Sequence, residues 1–210
     1  MNDYEPGLVY NNLVKMMDYR GVKLNSEPFD SDALVQKLNH YEFATIVGTR
    51  DKSDPRGAAT VIAVLIAPKS KYANTSGNFK RLLSNLPKVR EDQNLDVIFV
   101  SEMPLTIHIK KLLIVHRIKN PKVMLEDHSY EMFLIEKPKH VSVPPHVIAT
   151  DKEIDAFCYK YKINKNNFGK ILQSDVQAVW LGLRQGMCVK IVRISENAGN
   201  SITYRICIKG

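Results

Sequence analysis

Apolar residues at Leu8, Val9, Leu13, Met16 and Met17 fall at helical spacing and stop near Gly21, a residue suited to a helix C-terminal cap. The spacing predicts a second helix from Ser31 or Asp32 that buries Leu34, Val35 and Leu38, with Asp30 and Asp32 at the positive end of its dipole. Two short runs rich in β-branched residues, Phe43 to Val47 and Val61 to Ile66, predict strands on either side of a polar, turn-rich segment at 51–57. A helix near Asn78 to Leu86, a strand at Val97 to Val100 and a helix after Pro104 carrying Ile107, Leu112 and Leu113 follow. Further strands are expected near Val123 to Leu125 and near Met132 to Ile135. Strands interleaved with helices of this length predict an α/β (α+β) fold built on a small mixed sheet. No internal repeat or low-complexity tract interrupts the pattern.

The pattern changes at 137–146, Lys-Pro-Lys-His-Val-Ser-Val-Pro-Pro-His. Three prolines cannot sit in a helix interior or a central strand, so this window reads as a linker or a rigid extended lead-in between domains at 1–136 and 137–210. Beyond it, Asp151 to Tyr161 predicts a short helix with apolar Ile154, Phe157 and Cys158. Asp175 to Leu181 predicts another, with Asp175 as N-cap and Gly182 as the stop. Val189 to Ile194 and Ile202 to Ile208 then read as strands. A module of roughly 70 residues lies near the lower limit for independent stability, so a partner is expected to share its burial.

At 210 residues and 23.9 kDa the chain has room for one large domain or two small ones. The hydrophobic share of 44% and charged share of 25% are those of an ordinary globular protein. No apolar run approaches the roughly 18–20 residues needed to span a bilayer, and the start MNDYEPG lacks the basic and then apolar regions of a signal peptide. No membrane partner is expected. Cys158, Cys188 and Cys207 are odd in number and scattered, which suits small buried hydrophobes in a reducing compartment. The net charge of +8 points to a polyanionic or acidic partner. Residues 138–210 hold 11 basic against 5 acidic side chains, whereas residues 1–137 hold 19 against 17, so the tail carries most of the excess.

Six histidines, His40, His108, His116, His128, His140 and His146, form no HxxxH or HExxH pair, and no CxxC exists, so no metal site is expected. No nucleophile elbow, Walker loop or dinucleotide-binding glycine pattern is present. Gly182-Leu-Arg-Gln-Gly186 follows a helix rather than a strand and suits a hairpin lead-in. A metal-dependent nuclease would draw on Asp96, Glu102, Glu126, Asp127, Glu136 and Lys137, but Glu136 and Lys137 are adjacent and would point to opposite faces of a strand. Basic clusters offer more. Lys69, Lys71, Lys80, Arg81, Lys88 and Arg90 surround the third helix, and Lys110, Lys111, Arg117, Lys119 and Lys122 follow the Pro104 turn. Either they line one rim facing a DNA backbone or they form a solvated helical face. In the tail, Lys190, Arg193 and Arg205 either present a positive face to a partner's carboxylates or are ordinary exposed strand charges.

The densest pattern is SDVQAVWLGLRQGMCVKIVRISENAGNSITYR, from Ser174 to Arg205. Its Asp175, Ala178, Gly182, Gly186, Val189, Lys190, Ile191, Arg193, Ser195, Glu196, Ala198, Gly199, Thr203, Tyr204 and Arg205 resemble the signature of the shared fifth subunit of eukaryotic-type DNA-directed RNA polymerases, a family with archaeal members. Val143-Pro-x-His146 resembles the lead-in to that family's C-terminal module, and Tyr161 and Ile171 also fall where it has them. Weaker likeness reaches Tyr19-Arg20-Gly21 and Val97 to Val100 with Met103 and Pro104. Departures occur at Gly169, Val176, Gln185 and Asn200, where the family has Pro, Pro, Arg and Arg. Losing Pro at the first helical position removes preorganisation but no hydrogen bond. Such departures suit a distant lineage, including a large DNA virus with its own polymerase.

The resemblance implies that residues 1–136 are a jaw domain, restriction-endonuclease-like without its active site, beside downstream double-stranded DNA. It implies that residues 137–210 are an assembly domain on the largest polymerase subunit, among other subunits. The DNA-facing residues would be Lys80, Arg81, Pro104, Thr106, Lys110 and Lys111. The docking residues would be His146, Asp175, Arg184, Lys190, Arg193, Ser195, Glu196, Tyr204 and Arg205. A noncatalytic subunit without cofactor, metal or small-molecule substrate is expected, nuclear if cellular and in host cytoplasm or virion if viral. A free-standing DNA-binding transcription factor and the nuclease are the rival readings.

Overall fold

The computed structural model describes residues 6–87, 93–195 and 199–209, with Ile194 and Ser195 described by their backbone alone. Two compact units divide the chain, Met1–Ile135 and Glu136–Gly210. The first holds α1 (Pro6–Tyr19), β1 (Lys23–Leu24), α2 (Ser31–Tyr41), β2 (Phe43–Arg50), β3 (Ala59–Ile66), the single turn α3 (Lys71–Asn74), α4 (Ser76–Ser84), β4 (Asn94–Ser101), α5 (Ile107–Lys119) and β5 (Val123–Ser129). Its sheet runs β1-β2-β3-β4-β5, antiparallel across the first two pairings and parallel across the last two.

Parallel pairing requires crossovers, and α4 and α5 supply them. Their inner residues Phe79, Leu82, Leu83, Ile109 and Leu113 join one core with Ile62, Val64, Val97, Phe99 and Leu125. Because β4 is buried on both faces, it reads as an almost continuous apolar run rather than an alternating one. Helix α1 buries Val9, Leu13, Met16 and Met17 completely. Its buried Asn12 side-chain amide donates to the carbonyl of Phe133 at 2.7 Å, so the helix carries its own tether to the end of the unit.

Two expectations fail, the strand at Met132 to Ile135 and the burial of Val35, each for a local reason. The strand expected at Met132 to Ile135 is a 3-10 turn, Tyr130–Phe133. The i, i+3 spacing of that turn buries Tyr130 and Phe133 together while Ile135 stays exposed, and the Tyr130 hydroxyl donates to the carbonyl of Ile66. Leu8, Val35 and Ile107 lie on the outward sides of α1, α2 and α5 and are exposed.

The second unit holds β6 (His146–Ile148), α6 (Asp151–Tyr161), β7 (Gly169–Leu172), α7 (Val176–Leu181), β8 (Cys188–Ser195) and β9 (Gly199–Ile208), with 3-10 turns at Lys137–Lys139 and Lys165–Asn167. The order is β6-β8-β9-β7, with β7 parallel to β9 and the other pairs antiparallel. Alternation along β8 and β9 feeds two small cores. Val189, Ile191 and Cys207 pack with Ala178 and Leu181 of α7, whereas Cys188 and Tyr204 pack with Ile154 and Phe168. Burial pushes the thiols of Cys188 and Cys207 up, consistent with packing roles for both.

Candidate functional site

Local chemistry builds the tail as its sequence suggests. The Asp175 carboxylate accepts from the N–H of Gln177 at 2.8 Å, capping α7. At the other end Gly182 turns left-handed (φ 61°), where a side chain would be strained, and the N–H of Leu183 returns to the carbonyl of Ala178 at 2.9 Å. The β8–β9 register sets Lys190 opposite Tyr204 and Val189 opposite Arg205. Side chains alternate, so Lys190 emerges on the α6 side, while Arg193 and Arg205 emerge on the α7 side. The single positive face expected from Lys190, Arg193 and Arg205 is therefore split by the pleat.

Lys190 is engaged within its own unit. Its ammonium donates to Glu153 at 2.9 Å, and Glu153 also completes a capping box with Thr150 at the start of α6. That hydrogen bond holds the Glu153 carboxyl low and raises Lys190. Tyr204, expected on the docking surface, is instead buried in an aromatic cluster, 4.6 Å from the Phe157 ring and 5.6 Å from Phe168 between centroids. Arg193 is exposed, and Arg184 and Arg205 are half-buried. His146 is held by a 2.6 Å contact between its Nδ1 and the carbonyl of Pro144. Ser195 ends β8 opposite Gly199; its side chain and Glu196 lie outside the described residues, as do Lys88 and Arg90.

The N-terminal basic residues also separate. Phe79, Leu82 and Leu83 turn inward on α4. Arg81 projects over β2, beside Asn78 and Asn85, whereas Lys80 stands about 100° further round the helix. On α5, Lys111 is exposed and Lys110 reaches Asp127 at 3.5 Å. Thr106 precedes α5 without a side-chain capping bond, and Pro104 is exposed. The outward stripe of α5 is largely apolar: Ile107, Ile114 and Ile118 flank Lys111 at helical spacing, with Ile107 71% and Ile118 74% exposed.

Two of the carboxylates that a nuclease would need, Asp96 and Glu126, are held by arginines. Asp96 on β4 accepts from Arg50 at 2.7 Å, with both side chains buried. Glu126 on β5 takes a two-pronged contact from buried Arg20 at 2.8 and 3.1 Å and lies 3.1 Å from His128. Burial alone would push the Glu126 carboxyl up, but the Arg20 guanidinium and His128 hold it well below the usual carboxylate range. Asp54 binds Arg56 through both oxygens at 2.6 and 2.7 Å. Among the described residues, no group of three or more His, Cys, Asp or Glu is placed to hold a metal ion. Sequence reasoning missed this buried arginine network because a charged residue in a turn or at a strand end looks exposed until its partner is known.

Comparison with known proteins follows the division of the chain. Residues 135–207 match the family model described as RNA polymerase Rpb5, C-terminal domain. Over 203 residues, 96% of each chain, the protein is 26% identical to a DNA-directed RNA polymerase RPB5 homolog of African swine fever virus. It is 39% identical over 88 residues, 42% of each chain, to subunit RPABC1 of DNA-directed RNA polymerases I, II, and III of Caenorhabditis elegans. The Dictyostelium discoideum rpabc1 subunit is 37% identical over 87 residues, covering 41% of this chain and 44% of the relative. All these relatives are named as parts of transcription machinery, and the mixed α/β folds of both units suit that class. Residues 135–207 are thus similar to the Rpb5 C-terminal domain, and likeness to viral RPB5 homologs runs along nearly the whole chain.

Proposed function

We propose that this protein is a noncatalytic subunit of a multisubunit DNA-directed RNA polymerase. In this reading residues 1–136 form a jaw beside downstream duplex DNA, and residues 137–210 dock on the largest subunit. The observation that carries it is likeness over 96% of the chain to an RPB5 homolog of African swine fever virus, with the Rpb5 C-terminal model falling on residues 135–207. Arg193 and Arg205 share the α7 side of the sheet and, with Arg184 in the turn after α7, are the basic residues best placed to meet a partner's carboxylates; Glu196 follows β8 in the sequence. On the jaw, Lys80, Lys110 and Lys111 would meet phosphates, and Pro104 and Thr106 would set the start of α5. The protein would work in the nucleus of a cell, or in host cytoplasm and virion if its source is a virus.

The nuclease reading loses support from Asp96 and Glu126, since each carboxylate already neutralises a guanidinium. Copurification of the tagged chain from native extract tests the proposal. The largest polymerase subunit should coelute, and elution of the tagged protein alone would overturn the assignment. Binding of naked duplex should be weak and fall steeply with added salt. Sequence-specific, salt-independent binding would favour a free-standing transcription factor. Magnesium-dependent plasmid cleavage lost in Asp96→Ala would restore the nuclease.

A further inference from the structure

Helices α4 and α5 cover the parallel strands of the N-terminal sheet and leave the same face of β2 open. The space beside α4 is a groove of about 540 Å³. Phe43, Val47, Ile62, Val64 and Leu82 give it an apolar floor, and Tyr72 meets Phe43 edge-on with ring centroids 5.5 Å apart. Phe43, Val47 and Tyr72 are only half-buried and Thr45 is exposed, so this floor is partly wet.

The rim is polar and basic. Asn78, Arg81 and Asn85 stand along one side of α4 at helical spacing, and Lys71 stands across from them at α3. Glu42, the one acid at the rim, is already engaged: its carboxylate accepts from the Ser70 hydroxyl at 2.9 Å and from the N–H of Lys71 at 3.2 Å. Among the described residues, no carboxylate meets the Lys71 ammonium or the Arg81 guanidinium. A concave apolar floor with a few convergent polar groups is the usual form of a binding site. Two carboxamides, each both donor and acceptor, suit the backbone of an extended chain, and two uncompensated cations suit its carboxylates.

We propose that this groove binds an extended acidic peptide segment of a partner protein. An aromatic or large aliphatic side chain sits on Phe43, Val47 and Tyr72, and flanking carboxylates meet Lys71 and Arg81. Duplex DNA fits less well, because the floor offers no partner for phosphates. A second copy of this chain, with its net charge of +8, opposes rather than complements the rim. The inference stands apart from the polymerase assignment and from the Lys80 and Lys111 contacts proposed for DNA.

Panning a random dodecapeptide phage library on the full chain at low salt tests it. Enriched sequences should combine several acids with an aromatic or large aliphatic residue. A synthetic peptide of that sequence should shift the backbone amide signals of Phe43, Val47, Tyr72 and Leu82. Arg81→Glu should weaken binding about tenfold or more, and Thr45→Trp, at an exposed groove position, should abolish it by filling the space. Lys80→Glu should leave peptide affinity unchanged. The proposal fails if no consensus emerges, if enriched sequences are basic or uncharged, if the shifts fall outside the groove, or if Arg81→Glu binds normally. It also fails if short duplex DNA displaces the peptide with the same sensitivity to Arg81→Glu, which assigns the groove to nucleic acid.

Discussion

Glu126 sits between Arg20 and His128, and its titration should be visible in the stability of the N-terminal unit. Its folded carboxyl is held below the ordinary glutamate value of about 4.3 by those partners, against the effect of burial. A depressed carboxyl stabilises the fold above its unfolded value, and that contribution is lost as pH falls towards the folded one. Thermal melts followed by circular dichroism should therefore show an acid limb beginning below about pH 5. Glu126→Gln should lower the neutral-pH melting temperature and make that limb shallower. It should not remove the limb, since Asp54 is also held low by Arg56 despite its burial. An acid limb equally steep in the variant would show that the pair is not its source. Arg20→Leu should cost roughly 2–3 kcal/mol, less than a fully buried pair because Glu126 keeps some contact with water. None of this was legible in the sequence. Tyr19-Arg20-Gly21 could be matched to a family pattern, but the partner of Arg20 lies 106 positions away and only the fold brings it close.

At the scale of elements, legibility followed length and amphipathicity. The six longer strands β2, β3, β4, β5, β8 and β9 and the helices α1, α2, α4, α5, α6 and α7 were all marked by periodicity or by caps. Strands β1, β6 and β7, of two to four residues, were missed because such short edge segments carry too few positions to show a period. The α7 cap offers a clean test. Asp175→Ala removes the acceptor for Gln177 and should cost about 1 kcal/mol, with local loss of amide protection in α7 measured by hydrogen exchange. Unchanged protection would mean that tertiary packing of Ala178 and Leu181 alone holds the helix. Gly48 tests the short edge. A β-carbon there would lie 2.5 Å from the carbonyl oxygen of Lys23 and from a methyl of Val22, so backbone must yield. Gly48→Ala should destabilise the N-terminal unit by about 1–3 kcal/mol, read from chemical denaturation, while a neutral outcome would show β1 to be dispensable.

The division of the chain at the whole-molecule scale turns the polymerase assignment into a separable claim. The proline window at 137–146 was read as a boundary; the compact units divide between Ile135 and Glu136, and the Rpb5 C-terminal match starts at residue 135. The second unit carries two small cores on opposite faces of one four-stranded sheet, and both are built from residues within 136–210. If assembly resides there, tagged fragment 136–210 should copurify with the largest polymerase subunit, and fragment 1–135 should not. The N-terminal fragment should instead retain the weak, salt-sensitive affinity for duplex DNA expected of Lys80, Lys110 and Lys111. A short fragment can fail for lack of stability alone, so Arg193→Glu in the full chain serves as the control. Arg193 is exposed on β8 and belongs to neither small core, so this change should weaken copurification while leaving the melting temperature within about 2 °C of the parent. Recovery of the polymerase by fragment 1–135 but not by 136–210 would reverse the roles of the two units. Full copurification of Arg193→Glu would move the contact away from the α7 side of the sheet, leaving Lys190 and the α6 side as the surface to test next.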